Sequence, residues 1–147
     1  MTKKKLLVIN GPNMNLLGER EPDIYGKKTL KQIEEEMGDL GKDAGIEVEF
    51  FQSNHEGDIV DKIGQSKGKV GCIIINPAAF THTSVAIRDA LSAVKIPAIE
   101  VHLSNIYGRE DFRKHSYIAG VALGQICGFG AFSYILAFHA AQKILKK

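Results

Sequence analysis

The chain predicts an α/β fold, a doubly wound parallel sheet of five strands, and three observations carry that prediction. Short apolar runs alternate with stretches of helical periodicity. Several runs, Leu6-Leu7-Val8-Ile9, Cys72-Ile73-Ile74-Ile75 and Ile96-Pro97-Ala98-Ile99, are apolar at every position, as strands buried on both faces require. Each of these runs ends abruptly in polar residues: Asn10-Gly11-Pro12-Asn13, then Asn76-Pro77, then Glu100-Val101-His102-Leu103-Ser104-Asn105. Ligands of an open α/β sheet sit beyond the carboxyl ends of its strands. Three polar strand ends therefore outline one pocket.

The elements follow in order. Strand one is Lys5 to Asn10, and a long polar loop runs from Gly11 to Lys28. Thr29 is placed to cap a helix to Ala44, whose Leu30, Ile33, Met37 and Leu40 share one face. Gly45 closes it. Strand two is Glu47 to Ser53, followed by a helix from Gly57 to Lys67 with Ile59, Val60 and Ile63 inward. Strand three is Gly71 to Asn76. Ser84 or Thr83 caps a helix over residues 83–94. Strand four is Ala98 to His102, strand five Val121 to Cys127, and the last helix Phe132 to Lys146. Five strands with helices between them give a flavodoxin-like sheet in a single domain, residues 1–147.

Composition narrows the partners. With 44% hydrophobic and 24% charged residues and a net charge of +2, the chain is globular and carries no basic stripe for nucleic acid. Lys3-Lys4-Lys5 reads as a solvated amino terminus. The four arginines, Arg20, Arg88, Arg109 and Arg113, all lie near the polar motifs, whereas fifteen lysines are scattered. A guanidinium fork binds carboxylates bidentately, so the bias points to an anionic ligand. Cys72 and Cys127 sit inside apolar runs and read as reduced thiols of a cytoplasmic protein. The apolar stretch at the start is too short for a secretory signal. No charge falls between Ile118 and Ala141, but four glycines, Gln125 and His139 interrupt the stretch. A buried strand, a Gly-Phe-Gly turn and a buried helix fit it better than a membrane span. So much apolar surface also points to a subunit interface.

Glu100 and His102 flank Val101 and so share one face of strand four. A carboxylate beside an imidazole fixes its tautomer and favours imidazolium, a general acid. Asn76 and His82 are free to meet ligand hydroxyls, while the hydroxyl of Ser84 or Thr83 caps the next helix. The loop of residues 11–28 exceeds an ordinary βα connection. It leaves the ligand-facing end of the sheet and reads as a lid. It holds Tyr25 and Arg20, with Arg109 or Arg113 able to approach. A close guanidinium stabilises phenolate, which makes Tyr25 a candidate base.

Other chemistries lack their motifs. No glycine-rich phosphate loop follows strand one, so no nucleotide or flavin cofactor is expected. The histidines lack metal-ligand spacing. A phosphoacceptor receiver needs acidic residues where Asn10 and Asn76 stand. Ser84 and Ser104 are not on a nucleophile elbow. The residues suit proton abstraction and elimination on a polyhydroxylated carboxylate.

Three motifs, Asn10 to Gly26, Asn76 to Ala90, and Glu100 to Tyr117, closely resemble the type II 3-dehydroquinate dehydratases in order and spacing. The resemblance implies dehydration of 3-dehydroquinate to 3-dehydroshikimate by anti elimination through an enolate, in the shikimate pathway or in quinate breakdown, with neither metal nor imine. It implies a homododecamer, a tetramer of trimers. Tyr25 would be the base, Arg20 would stabilise the charged transition state, and His102 would protonate the departing hydroxyl, oriented by Glu100. Asn13 would hold a water that stabilises the enolate. Asn76, His82, Leu103, Ser104 and Arg113 would bind substrate, and Asp89 would reach a neighbouring subunit's site. The chain departs from the pattern at Ala78, Phe80, Tyr107 and Gly108, where Gly, Tyr and His-Ala are usual.

Overall fold

The strand order β2-β1-β3-β4-β5, with every pairing parallel, makes this a flavodoxin-like doubly wound sheet. The strands are β1 (Lys5–Asn10), β2 (Glu47–Gln52), β3 (Cys72–Asn76), β4 (Ala98–His102) and β5 (Gly124–Cys127). The computed structural model describes residues 4–146. Helices α1 (Pro22–Tyr25), α2 (Leu30–Ala44), α3 (Glu56–Gln65), α4 (Val85–Val94) and α5 (Phe132–Leu145) complete the chain.

Side-chain alternation along the strands sorts the core into two layers. Leu6, Val8, Ile74, Ile99 and Val101 pack against Ile33 and Met37 of α2 and Phe138 and Ala141 of α5. Leu7, Ile9, Ile73, Ile75 and Ala98 pack on the other side, against Ile59 and Ile63 of α3 and Ile87 and Leu91 of α4. Each fully buried aliphatic side chain contributes about 1.5–3 kcal/mol relative to exposure. The same alternation aims Asn10 and Asn76 at the α5 face, and Glu100 and His102 at the opposite face.

The helix signals are realised as capping chemistry. Thr29 accepts from the Gln32 N–H at 3.2 Å while the Gln32 side chain accepts from the Thr29 N–H at 2.9 Å. Gly45 closes α2 at φ 69°. Ser84, not Thr83, caps α4, accepting from the Ile87 N–H at 2.9 Å.

Several boundaries differ from the expectation. β5 begins at Gly124 rather than Val121, because the Val121 and Ala122 N–H groups both turn back to the Ile118 carbonyl, at 3.0 and 3.1 Å. β2 stops one residue early, since Ser53 leaves the strand to accept from the His55 N–H at 2.9 Å. α3 starts at Glu56 and ends at Gln65, where Ser66 to Val70 tighten into turns. β3 begins at Cys72, and α5 ends at Leu145. The basic run is not simply a solvated terminus. Lys5 pairs with Glu47 at 3.3 Å and Glu49 at 3.1 Å across β1 and β2, and Lys3 lies outside the described residues.

Among the described residues no helix is long and apolar enough to cross a membrane. The apolar stretch becomes β5, a turn with Gly128 and Gly130 at positive φ, and α5. Leu123, Phe129 and Phe132 stay exposed on it.

Candidate active site

β1 and β3 are neighbours, and the chain leaves β1 towards β2 on one side and β3 towards β4 on the other, which opens a crevice at the carboxyl edge of the sheet. A cleft open to solvent occupies that edge. Its walls come from the loops after β1, β3 and β4. Gly11 sets how closely the first two approach: its N–H donates to the Asn76 carbonyl at 2.8 Å, and a Cβ there would lie 2.4 Å from the Pro77 oxygen.

The cleft gathers Asn13, Arg20, Tyr25, Asn76, His82, His102, Leu103, Ser104 and Arg113. Tyr25, Arg20 and His102 thus face one space. Glu100 lies directly beneath His102. Asp89 is not among the lining residues; it is exposed on α4. Among the described residues no lysine lines the cleft.

Glu100 and His102 form a buried pair, with Nε2 of His102 donating to Oε2 of Glu100 at 2.5 Å. Nε2 must therefore carry a hydrogen, which leaves Nδ1 as the nitrogen that gains or loses a proton. Glu100 is completely buried. Burial pushes its carboxyl up, but His102, the Thr81 hydroxyl at 2.6 Å and the Ser116 hydroxyl at 2.9 Å hold it below the ordinary range. It stands as a carboxylate.

Tyr25 is half-buried, and its phenol oxygen accepts from Nη1 of Arg109 at 3.0 Å. The same Nη1 reaches Ser104 Oγ at 3.3 Å. The Arg20 guanidinium lies over the tyrosine ring, 4.8 Å from its centroid, and not at the oxygen. Of the two arginines after β4, Arg109 is the one that meets the phenol. Arg113 pairs with Glu110 at 3.0 Å and also lines the cleft.

The other walls are similarly held. His82 directs Nδ1 to the His115 carbonyl at 2.8 Å, which leaves Nε2 free. Burial lowers its pKa, reinforced by His102 and Arg113 and opposed by the His115 carbonyl and Glu100. Asn76 donates to the Tyr134 hydroxyl at 2.9 Å and accepts from the Ala78 N–H at 3.0 Å. Tyr134, fully buried on α5, in turn donates to Asn10. Asn13 sits at φ 68°, its N–H donating to Asn54 Oδ1 at 3.0 Å. Gln52 ties Asn54 at 3.2 Å and the Gly11 carbonyl at 3.1 Å.

The long loop is more ordered than a plain lid. Met14–Leu16 forms a 3-10 turn, and α1 opens with Pro22 and delivers Tyr25. The departures from the expected pattern fall unevenly. Ala78 lines the cleft at φ +52°, a conformation that favours glycine. Phe80 packs against the α3/α4 layer. Tyr107 donates to Gln125 at 2.5 Å, outside the cleft lining.

Sequence reasoning gave no role to Thr81, Ser116, Tyr134, Gln52 or Asn54. The only available signal was at Tyr134, a hydroxyl in an otherwise apolar helix, since a buried tyrosine hydroxyl usually finds a partner.

Comparison with known proteins agrees with this architecture. The family described as dehydroquinase class II matches the chain over residues 4–142. A 3-dehydroquinate dehydratase of Endomicrobium trichonymphae is 61% identical over 136 residues, 92% of this chain and 95% of that one. Its counterpart in Geotalea daltonii is 57% identical over 143 residues, covering 97% and 99%. The crystal structure of the type II dehydroquinase from Butyrivibrio crossotus superposes with a TM-score of 0.93 at 47% identity, over 96% of this chain and 99% of that one.

Proposed function

The chain belongs to the class II dehydroquinase family and is a 3-dehydroquinate dehydratase, a carbon–oxygen lyase, and from that premise we propose that Tyr25 is its base and His102 its acid. The observation that carries the reading is the single cleft in which a phenol bonded to Arg109 faces an imidazole bonded to a buried carboxylate.

Tyr25, as phenolate, takes the proton from the carbon beside the ketone. The C–H electron pair moves to the ketone oxygen and gives an enolate. Asn13, through a bound water, stabilises that charge. The enolate then collapses, the C–O bond breaks, and His102 gives its proton to the departing hydroxyl, which leaves as water. Tyr25 ends protonated and His102 neutral, so transfer of one proton from phenol to imidazole restores the enzyme. No imine or metal is needed. Preorganised charge of this kind is worth most in a cleft that excludes water, and Arg20, over the Tyr25 ring, supports the developing negative charge as the loop of residues 11–28 closes.

Asn76, His82, Arg113, Ser104 and the Leu103 backbone bind the substrate's hydroxyls and carboxylate. The exposed position of Asp89 on α4 supports a role in a neighbouring subunit's site. The exposed Leu123, Phe129 and Phe132 support assembly, here as a homododecamer of four trimers. Sedimentation that yields only monomers would contradict this. The two free thiols suit a cytoplasmic setting.

Mixing the protein with 3-dehydroquinate should produce the ultraviolet absorbance of the conjugated product, and its absence would refute the activity. His102→Ala should slow loss of water more than exchange of the proton beside the ketone. Equal loss of both would mean that His102 does more than protonate the leaving group. Borohydride trapping should give no covalent adduct.

A further inference from the structure

We propose that Ser116, with Thr81, is a positioning residue that keeps Glu100 a permanent acceptor, so that the mobile proton of the Glu100–His102 pair stays on His102. The inference rests on the assignment of His102 as the acid.

A serine hydroxyl has one hydrogen to give and two lone pairs. Ser116 Oγ accepts from the Ile118 N–H at 3.1 Å and the Ala119 N–H at 3.0 Å. Those two donors use its lone pairs, and neither can reverse. Its hydrogen goes to Glu100, whose two oxygens both lie 2.9 Å away, nearer than the Thr81 hydroxyl at 3.2 Å, which gives its own hydrogen to the same carboxylate. Thr81, itself fully buried, reaches Oε2 at 2.6 Å. The Nε2–H of His102 points at the same oxygen. Every polar neighbour therefore donates to the carboxylate, and a protonated Glu100 would face donors with a hydrogen of its own.

The segment that carries Ser116 is tied down on both sides. The His115 carbonyl holds His82 at 2.8 Å, the Tyr117 N–H donates to the Thr81 carbonyl at 2.8 Å, and Arg88 of α4 donates to the Tyr117 carbonyl at 2.8 Å. Three consecutive residues thus fix His82, Glu100 and Thr81 relative to one another. The remaining groups facing Glu100 do not compete for the proton. Burial pushes the Cys127 thiol on β5 up to about 11 and raises the Tyr107 phenol, so both are neutral. His82, with Arg113 beyond it, is disfavoured as a cation mainly by burial.

The test is a pH titration of the intact enzyme by difference infrared spectroscopy, read at the protonated-carboxyl band that Glu100→Gln abolishes. In Ser116→Ala the band should appear at a pH higher by about one unit than in the wild type, the size of one lost hydrogen bond to a charged group. The kcat should fall by roughly tenfold, with KM changed less. Thr81→Val should shift the midpoint in the same direction and serves if Ser116→Ala fails to fold, while Thr81→Ser should restore wild-type behaviour. An unmoved midpoint in the folded variants overturns the proposal, as does a moved midpoint with unchanged kcat. Failure of the acid assignment itself is distinguishable, because His102→Ala would then retain turnover whatever the infrared midpoint does.

Discussion

Replacing Arg109 by alanine should remove most of the electrostatic support for a Tyr25 phenolate. Nη1 of Arg109 lies 3.0 Å from the phenol oxygen, and the arginine side chain is only 15% exposed. Two unit charges at that separation attract by about 5–6 kcal/mol at an effective dielectric near 20. Tyr25 is half-buried, so water would replace part of this. The remainder should be about 1.5–3 kcal/mol, the usual worth of a hydrogen bond to a charged group. That corresponds to a fall in kcat of roughly 10- to 150-fold. The assay is steady-state formation of the conjugated product. KM should rise less than kcat falls, although Arg109 also donates to Ser104. Arg109→Lys should recover only part of the loss, because an ammonium is a mobile point charge without the planar guanidinium that lies 5.3 Å from the Tyr25 ring centroid. A kcat within about twofold of wild type for Arg109→Ala would refute the reasoning, since random loss of a distant surface charge typically costs no more than that.

Three further outcomes follow from particular contacts. Ala78→Gly should stabilise the protein by about 1 kcal/mol, because φ +52° strains any side chain with a Cβ; a thermal melt should rise by about 2–4 °C, and a fall would mean that methyl packing outweighs the strain. Tyr134→Phe should raise KM more than it lowers kcat, since it removes the hydroxyl that holds Asn76, and should cost about 1–3 kcal/mol by leaving buried amides unpaired; unchanged KM in substrate titrations would contradict it. The lowered pKa of Glu100 makes its contribution to stability complete above its unfolded value of 4.5 and lost as pH falls through the lower folded one. Acid unfolding of Glu100→Gln should therefore be less steep below pH 4.5 than that of the wild type.

The sheet was legible because the runs Leu6 to Ile9, Cys72 to Ile75 and Ile96 to Ile99 are apolar at every position, as strands buried on both faces require. Thr29, Gly45 and Ser84 marked helix ends because capping is local chemistry between residues a few positions apart. The pairing of Glu100 with His102 was legible for the same reason: strand alternation alone puts them side by side. What stayed hidden depends on contacts between distant segments. Nothing near Ser116 in the chain reveals that it lies under Glu100, and nothing near Arg109 distinguishes it from Arg113 as the partner of Tyr25. The start of β5 was misplaced because Val121 and Ala122 have strand-like apolarity, whereas a turn on the Ile118 carbonyl takes their N–H groups. Asp89 had no reading from chain geometry, and its exposure on α4 is consistent with a role completed by a second subunit.

The phenol as base is tested most directly by Tyr25→Phe, with turnover and substrate binding measured on the same preparation. Turnover should fall by about 10²- to 10⁴-fold, the range of a lost general base, while calorimetry shows substrate still bound within a few fold of wild type. Near-normal turnover in the folded variant would contradict the assignment and move the proton abstraction elsewhere in the cleft.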